Sequence, residues 1–247
     1  RIFRVILNGK ISGQEVTVTS TASKIGPTMR NEFPEVEDFL RLNGWGETII
    51  RYGDNRFTEK AFIEADSSFF SFFSIPLSKG NKETVLNEPH TVVISESTSK
   101  KIFGEIDPID KMIKIGNDSS YYRITGVMED IPANTHFEAN MIGSFMTNPR
   151  ATEDQWLSNS FDTYVLLHPN ADPQKVDNRF SGMIVKYVGP LVTKYFGISM
   201  QDFLAQGNKY NMFLQKLTDI HLDPSIEQDL KPANDPKYLW IFGSIAS

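Results

Sequence analysis

The last third of the chain repeats the plan of the first, and this repetition limits the possible folds more than any single motif does. Residues 163–167 predict a strand, and residues 211–217 predict a returning strand. Between them, Asp172 and Pro173 mark the start of a long helix that Pro190 bends or ends. Its apolar stripe recurs every three to four residues and consists of Val176, Phe180, Ile184, Tyr187 and Leu191.

The first third has the same order of elements. Residues 15–20 alternate apolar and polar side chains, which is typical of a half-buried strand. Thr21 or Ser23 is expected to cap a following helix, and Pro34 is expected to end it. The buried face of that helix would carry Ile25, Met29 and Phe33.

The middle of the chain is rich in strands. Residues 48–52 and 56–63 flank a Gly-Asp-Asn turn, and residues 112–115 and 121–128 flank a second turn, so both pairs predict hairpins. Residues 91–94 predict a buried strand, followed by a short helix from Ser95 to Gly104. A strand–helix–strand unit at each end with a β-rich segment between them predicts an α+β fold of two subdomains, one of them discontinuous.

Four phenylalanines occupy five positions in residues 69–73. A short helix that packs these rings into the core is the first interpretation, because large aromatic side chains are mostly buried. An aromatic platform for a ligand is the alternative.

Composition excludes several classes of function. A net charge of -6 and a pI near 5.3 argue against a nucleic-acid partner, which usually meets a basic face. The absence of cysteine excludes disulfides, cysteine-ligated metal sites and a thiol nucleophile. No apolar run reaches the ~18 residues of a membrane span. Because the first residue is Arg1 rather than Met, we expect a piece of a longer protein.

The sequence offers few residues for catalysis. Nucleotide-binding glycine loops, the G-x-S-x-G elbow and the H-E-x-x-H motif are all absent. On a strand, Asp219, His221 and Asp223 would share one face and could ligate a metal, whereas a polar strand end is the alternative interpretation. A glycosylation sequon lies at residues 117–119. Three acidic pairs could in principle supply an acid and a base, or simply be solvated: Glu37-Asp38, Glu129-Asp130 and Glu153-Asp154.

Six stretches, in order, resemble the periplasmic core domain of MacB-like ABC transporter permeases of the FtsX superfamily, in the form found in Bacteroidetes. They are residues 69–80, 86–97, 101–104, 107–109, 124–134 and 217–222. Residues 238–246 resemble the lead-in to the second membrane helix of the permease. One position departs from the family pattern: Asp110 stands where a glycine is usual, and aspartate tolerates the positive φ of such a turn better than most residues.

The resemblance implies a porter-like subdomain from residues 1–88 and 156–237, an inserted sabre-like subdomain from residues 89–155, and a membrane lead-in at residues 238–247. It also implies that the two chain ends lie on one side. Such a domain would stand in the periplasm on an inner-membrane permease and couple cytoplasmic ATP hydrolysis to movement, for export, efflux or lipoprotein handling.

The implied partners are the transmembrane helices of the same permease and, indirectly, a cytoplasmic ABC ATPase. A periplasmic adaptor or a second permease copy would be further partners. The resemblance implies no enzyme activity and no catalytic, cofactor-binding or metal-binding residues. A periplasmic ligand-binding or sensor module, which would need a deep and largely apolar pocket, is the alternative.

Overall fold

The computed structural model describes residues 1–222 and residue 226, except residues 12, 117–120 and 133. The strands are Ile2–Ile11 (β1), Gln14–Val18 (β2), Ser20–Ala22 (β3), Val36–Tyr52 (β4), Asn55–Ala65 (β5), Leu77–Lys79 (β6), Thr91–Ser95 (β7), Met112–Ile115 (β8), Tyr121–Met128 (β9), Met141–Ser144 (β10), Asn159–Leu167 (β11) and Lys209–Lys216 (β12). The α-helices are Ile25–Glu32 (α1), Phe69–Phe72 (α2), Glu96–Phe103 (α3), Pro173–Tyr187 (α4), Gly189–Phe196 (α5) and Met200–Ala205 (α6). Short 3-10 helices lie at Phe145–Thr147, Pro149–Thr152 and Leu217–Leu222.

The chain divides into two compact units. One consists of Arg1–Phe39 together with the described residues from Asp154 onward, and the other is Leu40–Glu153. We call them the terminal unit and the central unit. Residues 40–88 group with the central segment, whereas the sequence assigned them to the subdomain of the chain ends. The porter-like and sabre-like segments, with limits at residues 88, 155 and 237, stay a prediction.

The terminal unit is an antiparallel sheet covered by helices. β1 lies between β11 and β12 and is antiparallel to both. β11 and β12, which the helices connect in sequence, are therefore parallel to each other. β2 pairs with the distal half of β1, and β3 pairs with β11. The core between this sheet and the helices includes Val5, Leu7, Val165, Met29, Val176, Phe180 and Ile184, all buried.

The central unit is a closed ring of paired strands. β4, β5, β10, β7 and β9 are hydrogen-bonded in that order, and β8 pairs with both β9 and β4. The β5–β10 and β7–β9 pairs are parallel, and the others are antiparallel. Closure leaves few strand edges open to other chains. Its interior side chains include Ile50, Phe62, Val92, Ile94, Ile113, Ile124 and Met141, with Ile102 and Phe103 of α3 packed on them.

Several local predictions are confirmed. Asp172 caps α4 by accepting a hydrogen bond from the N–H of Gln174, and α4 ends at Tyr187 before Pro190. Ser95 caps α3 and Gly104 follows it with positive φ. Both hairpins form, and in the first the loop has two residues between Tyr52 and Asn55.

The predicted cap of α1 is wrong. The N-cap residue is Lys24, whose side chain makes no capping bond. Thr21 instead lies in β3, where its hydroxyl pairs with that of Thr163 and donates to the carbonyl of Phe161. A hydroxyl that is buried between two strands has a better partner there than a helix end offers.

Candidate functional site

The phenylalanine-rich segment forms α2, and its rings are packed against one another in the central unit. Phe69, Phe70 and Phe72 are buried, and edge-to-face contacts join neighbouring rings at centroid distances of 5.1–5.5 Å. Phe137 packs on Phe69 at 5.8 Å. The core-packing interpretation is therefore confirmed, and the rings present little face to a ligand.

Two adjacent surface depressions lie on the central unit next to this segment. The first, of about 500 Å³, is bordered by the apolar residues Ile75, Pro76 and Leu77 and by Lys82. The second, of about 390 Å³, is lined mainly by polar and charged side chains. Asn81 borders both. Because both open to solvent and carry as much polar as apolar lining, they differ from the enclosed apolar cavities that bind most small ligands.

Two glycines allow the segment after β6 to press against β9. Gly80 has a φ of +96°, and a Cβ atom there would lie 2.7 Å from the carbonyl oxygen of Thr125. A Cβ on Gly126 would lie 3.1 Å from Val85. The Thr125 hydroxyl adds a 2.6 Å hydrogen bond to the carbonyl of Val85. Val85 and Thr125, which line the second depression, are thus held close to each other by these contacts.

Arg123 lies between two acidic residues that line the second depression. Its guanidinium donates to Glu88 at 2.6 Å and to Asp110 at 3.3 Å, so one cation is shared by two carboxylates. Asp110 has a φ of +61°, which is the conformation expected at this departure from the family pattern. Its backbone N–H donates to the carbonyl of Ile124. Both carboxylates are thus engaged in ion pairs with the same arginine.

The first acidic pair is neutralised by basic side chains of the terminal unit. Glu37 accepts a hydrogen bond from Arg1, and Asp38 lies 3.4 Å from Arg30. Such exposed ion pairs are ordinary surface features that add little to stability.

Asp130 of the second pair and both carboxylates of the third pair also have partners. Asp130 accepts hydrogen bonds from the hydroxyl and the N–H of Ser97, and the hydroxyl bond above all holds the pKa of this carboxyl below its usual range. In the third pair each carboxylate lies within 4 Å of a cation, as Arg150–Glu153 and Lys24–Asp154. A lowered pKa makes Asp130 a poor proton acceptor near neutral pH.

The predicted metal set does not lie on a strand. Asp219 belongs to the 3-10 helix Leu217–Leu222, which replaces the period of two that would have aligned it with His221. Its carboxylate accepts a hydrogen bond from the hydroxyl of Thr218. Asp223 and the His221 side chain lie outside the described residues. Across the described part of the chain, no group of three His, Cys, Asp or Glu could hold a metal ion.

Three further expectations fall on residues that the structure does not describe. They are the sequon at residues 117–119, the lead-in at residues 238–247, and the position of the carboxyl-terminal end relative to Arg1. Among the described helices, none has both the length and the apolar composition needed to cross a membrane.

Residues 2–182 match the family model of the MacB-like periplasmic core domain. The chain belongs to this family. It is thus a periplasmic domain of a MacB-like ABC transporter permease, a class whose permeases pair with ATPase and transmembrane parts. The comparison with curated proteins gave no match.

Solved structures share the fold. A domain of a protein described as a permease from Porphyromonas gingivalis superposes with a TM-score of 0.73 at 22% identity, covering 98% of this chain and 96% of that one. The periplasmic region of MacB from Actinobacillus actinomycetemcomitans gives 0.54 at 15%, covering 88% and 90%. The extracellular domain of the noncanonic ABC-type transporter YknZ from Gram-positive bacteria gives 0.54 at 11%, covering 87% and 100%. What these structures share with this chain is the mixed α/β fold.

Proposed function

We propose that this domain is a non-catalytic lever, which couples ATP hydrolysis by a cytoplasmic ABC ATPase to conformational change in the periplasm. The work done would be export, efflux or lipoprotein handling. The observation that carries the proposal is the division of a family member into two units, of which the central unit is inserted between residues 1–39 and the described residues from Asp154 onward. Because the chain crosses between the units twice, movement of the terminal unit can be passed to the central unit at two points.

The side-chain chemistry supports a mechanical function. Arg123 forms ion pairs with Glu88 and Asp110. Ser97 lowers the pKa of Asp130, so this carboxylate is a poor base. The proposed partners are the membrane helices of the same permease and the ATPase, with a periplasmic adaptor or a second permease copy as further contacts. The porter-like and sabre-like subdomains would be the moving bodies.

A ligand-binding or sensor module is the second candidate, and the pair of depressions that meet at Asn81 is the observation in its favour. A thermal-shift screen of peptides and small metabolites tests it, because binding to the native state raises the melting temperature. A saturable rise that Asn81→Ala abolishes would favour the sensor.

Spectroscopic distance measurements in the reconstituted transporter test the lever. The chain has no cysteine, so labels can be placed at Gln174 of the terminal unit and Lys60 of the central unit, both exposed. We expect the distance distribution between the labels to change on ATP binding and to return after hydrolysis. A partner ATPase variant that cannot hydrolyse ATP should hold the ATP-bound distribution. An unchanged distribution during active hydrolysis would refute the lever.

A further inference from the structure

The two ends of the central unit are fastened to each other by one guanidinium. Arg41 is the second residue of this unit, and Ala151 is the third from its end. The side chain of Arg41 donates to both carboxylate oxygens of Asp66, at 2.9 and 2.8 Å. Its remaining terminal nitrogen donates to the carbonyl of Ala151 at 2.9 Å. The segment by which the chain enters the unit and the segment by which it leaves are thus bonded to the same side chain.

Glu64 of β5, two residues before Asp66, repeats this arrangement. Glu64 accepts a hydrogen bond from Asn43 at 3.3 Å and another from Asn148 at 2.7 Å. Asn43 follows Arg41 on β4, and Asn148 precedes Ala151 on the leaving segment. Glu64 is only 2% exposed; its bond with Asn148 is buried and its bond with Asn43 is partly buried. We call the set of Arg41, Asn43, Glu64, Asp66 and Asn148 the double clamp.

The surroundings of the double clamp keep it rigid. The guanidinium of Arg41 lies 4.4 Å from the centre of the buried Phe145 ring, which restricts its rotation. The backbone N–H of Arg41 also donates to Asp66 at 2.8 Å. Paired donation by a planar guanidinium to a carboxylate fixes direction as well as distance, which a lysine at this position could not do.

We propose that the double clamp joins the entering and leaving segments into one rigid attachment. Through this attachment the central unit receives movement as one rigid body. This inference rests on the proposed lever function. Without the clamp, a displacement of either the entering or the leaving segment would be absorbed by local opening of the 3-10 helix Pro149–Thr152. It would then not be passed to the rest of the central unit.

Hydrogen exchange on this chain tests the structural half. We expect Arg41→Lys and Asn148→Ala each to accelerate exchange at residues 148–153 by about tenfold or more, as the loss of a charge-assisted hydrogen bond implies. Amides of β7 should keep their rates. Arg51→Lys is the matched control, because Arg51 also lies on β4 and donates to a carbonyl, that of Gly116 at 2.6 Å. Unchanged exchange at residues 148–153 in both variants would overturn the clamp.

The labelled transporter tests the mechanical half. With Arg41→Lys and Asn148→Ala combined, we expect the ATP-dependent change in distance between labels at 60 and 174 to fall by half or more, while ATP hydrolysis continues. A full change in the clamp variant would refute the inference and leave the lever function standing. No change in the wild-type transporter would instead refute the lever function and the inference with it.

Discussion

Gly80, which borders the first depression, is a position where a single added methyl group should destabilise the segment after β6. At a φ of +96°, an alanine would suffer left-handed strain of about 1–2 kcal/mol. Its Cβ would also lie 2.7 Å from Thr125 O, 2.9 Å from Val85 and 3.0 Å from the Cα of Gly126. Two of these three atoms are backbone, so the overlap cannot be relieved by a rotamer change. Overpacking of this kind costs about 1–3 kcal/mol, and the total expected loss is about 2–5 kcal/mol.

Gly53→Ala provides the matched control for Gly80→Ala. Gly53 lies in the same unit with a φ of +58°, but nothing lies within 4 Å of its added Cβ. Gly53→Ala should therefore lose only the strain component of about 1–2 kcal/mol. Urea unfolding followed by circular dichroism measures both variants, and hydrogen exchange in β7 and β9 assigns the loss to the central unit. Equal losses in the two variants would show that the close approach at Gly80 contributes nothing.

Three other substitutions test separate parts of the structure. Phe69→Ala should lower the free energy of unfolding by about 3–5 kcal/mol in urea titrations, whereas Ser71→Ala on the exposed side of α2 should stay within about 0.5 kcal/mol. Burial raises the pKa of Asp177, so the contribution of this carboxyl to stability should be lost as the pH rises from about 4 through that raised pKa; Asp177→Asn, which keeps an acceptor for the N–H of Leu214, should remove this contribution, measured as a difference in pH slope between variant and wild type in unfolding from pH 3 to 7. Asp110→Gly should unfold within about 1 kcal/mol of wild type, because glycine adopts positive φ without strain, whereas Asp110→Val should lose about 2 kcal/mol; equal behaviour would refute the turn argument.

Local signals in the sequence were sufficient to predict the elements whose cause is local. The start of α4 follows from Asp172 and Pro173, and the end of α3 follows from Gly104. The positive φ at Asp110 was expected from the family resemblance, because glycine is usual at this position. In the two helix ends the deciding residues lie a few positions from the groups they act on, so the spacing carries the information.

The double clamp could not be predicted in this way. Arg41 and Asp66 are 25 residues apart, and Glu64 and Asn148 are 84 apart. No period in the sequence relates these positions, and each side chain alone resembles a solvated surface residue. The closure of the central unit was missed for the same reason, because the pairing of β8 with β4 joins residues about 65 positions apart. The 3-10 helix at Leu217–Leu222 was mistaken for a strand because a short apolar–polar alternation fits both.

Carboxylates on β5 and directly after it join this strand to segments far away in sequence. Glu59 accepts bonds from Lys101 and Asn140, as Glu64 and Asp66 accept theirs in the double clamp. Glu59 and Glu64 lie on β5 and are buried, whereas Asp66 follows the strand and is partly exposed. Buried ion pairs add little net stability compared with apolar packing, but an unpaired buried charge is so costly that alternative pairings are disfavoured. For a domain whose proposed task is to pass on movement, a fixed geometry matters more than a large free energy of unfolding. The carboxylates on and next to this strand thus serve to position the segments that enter, cross and leave the central unit.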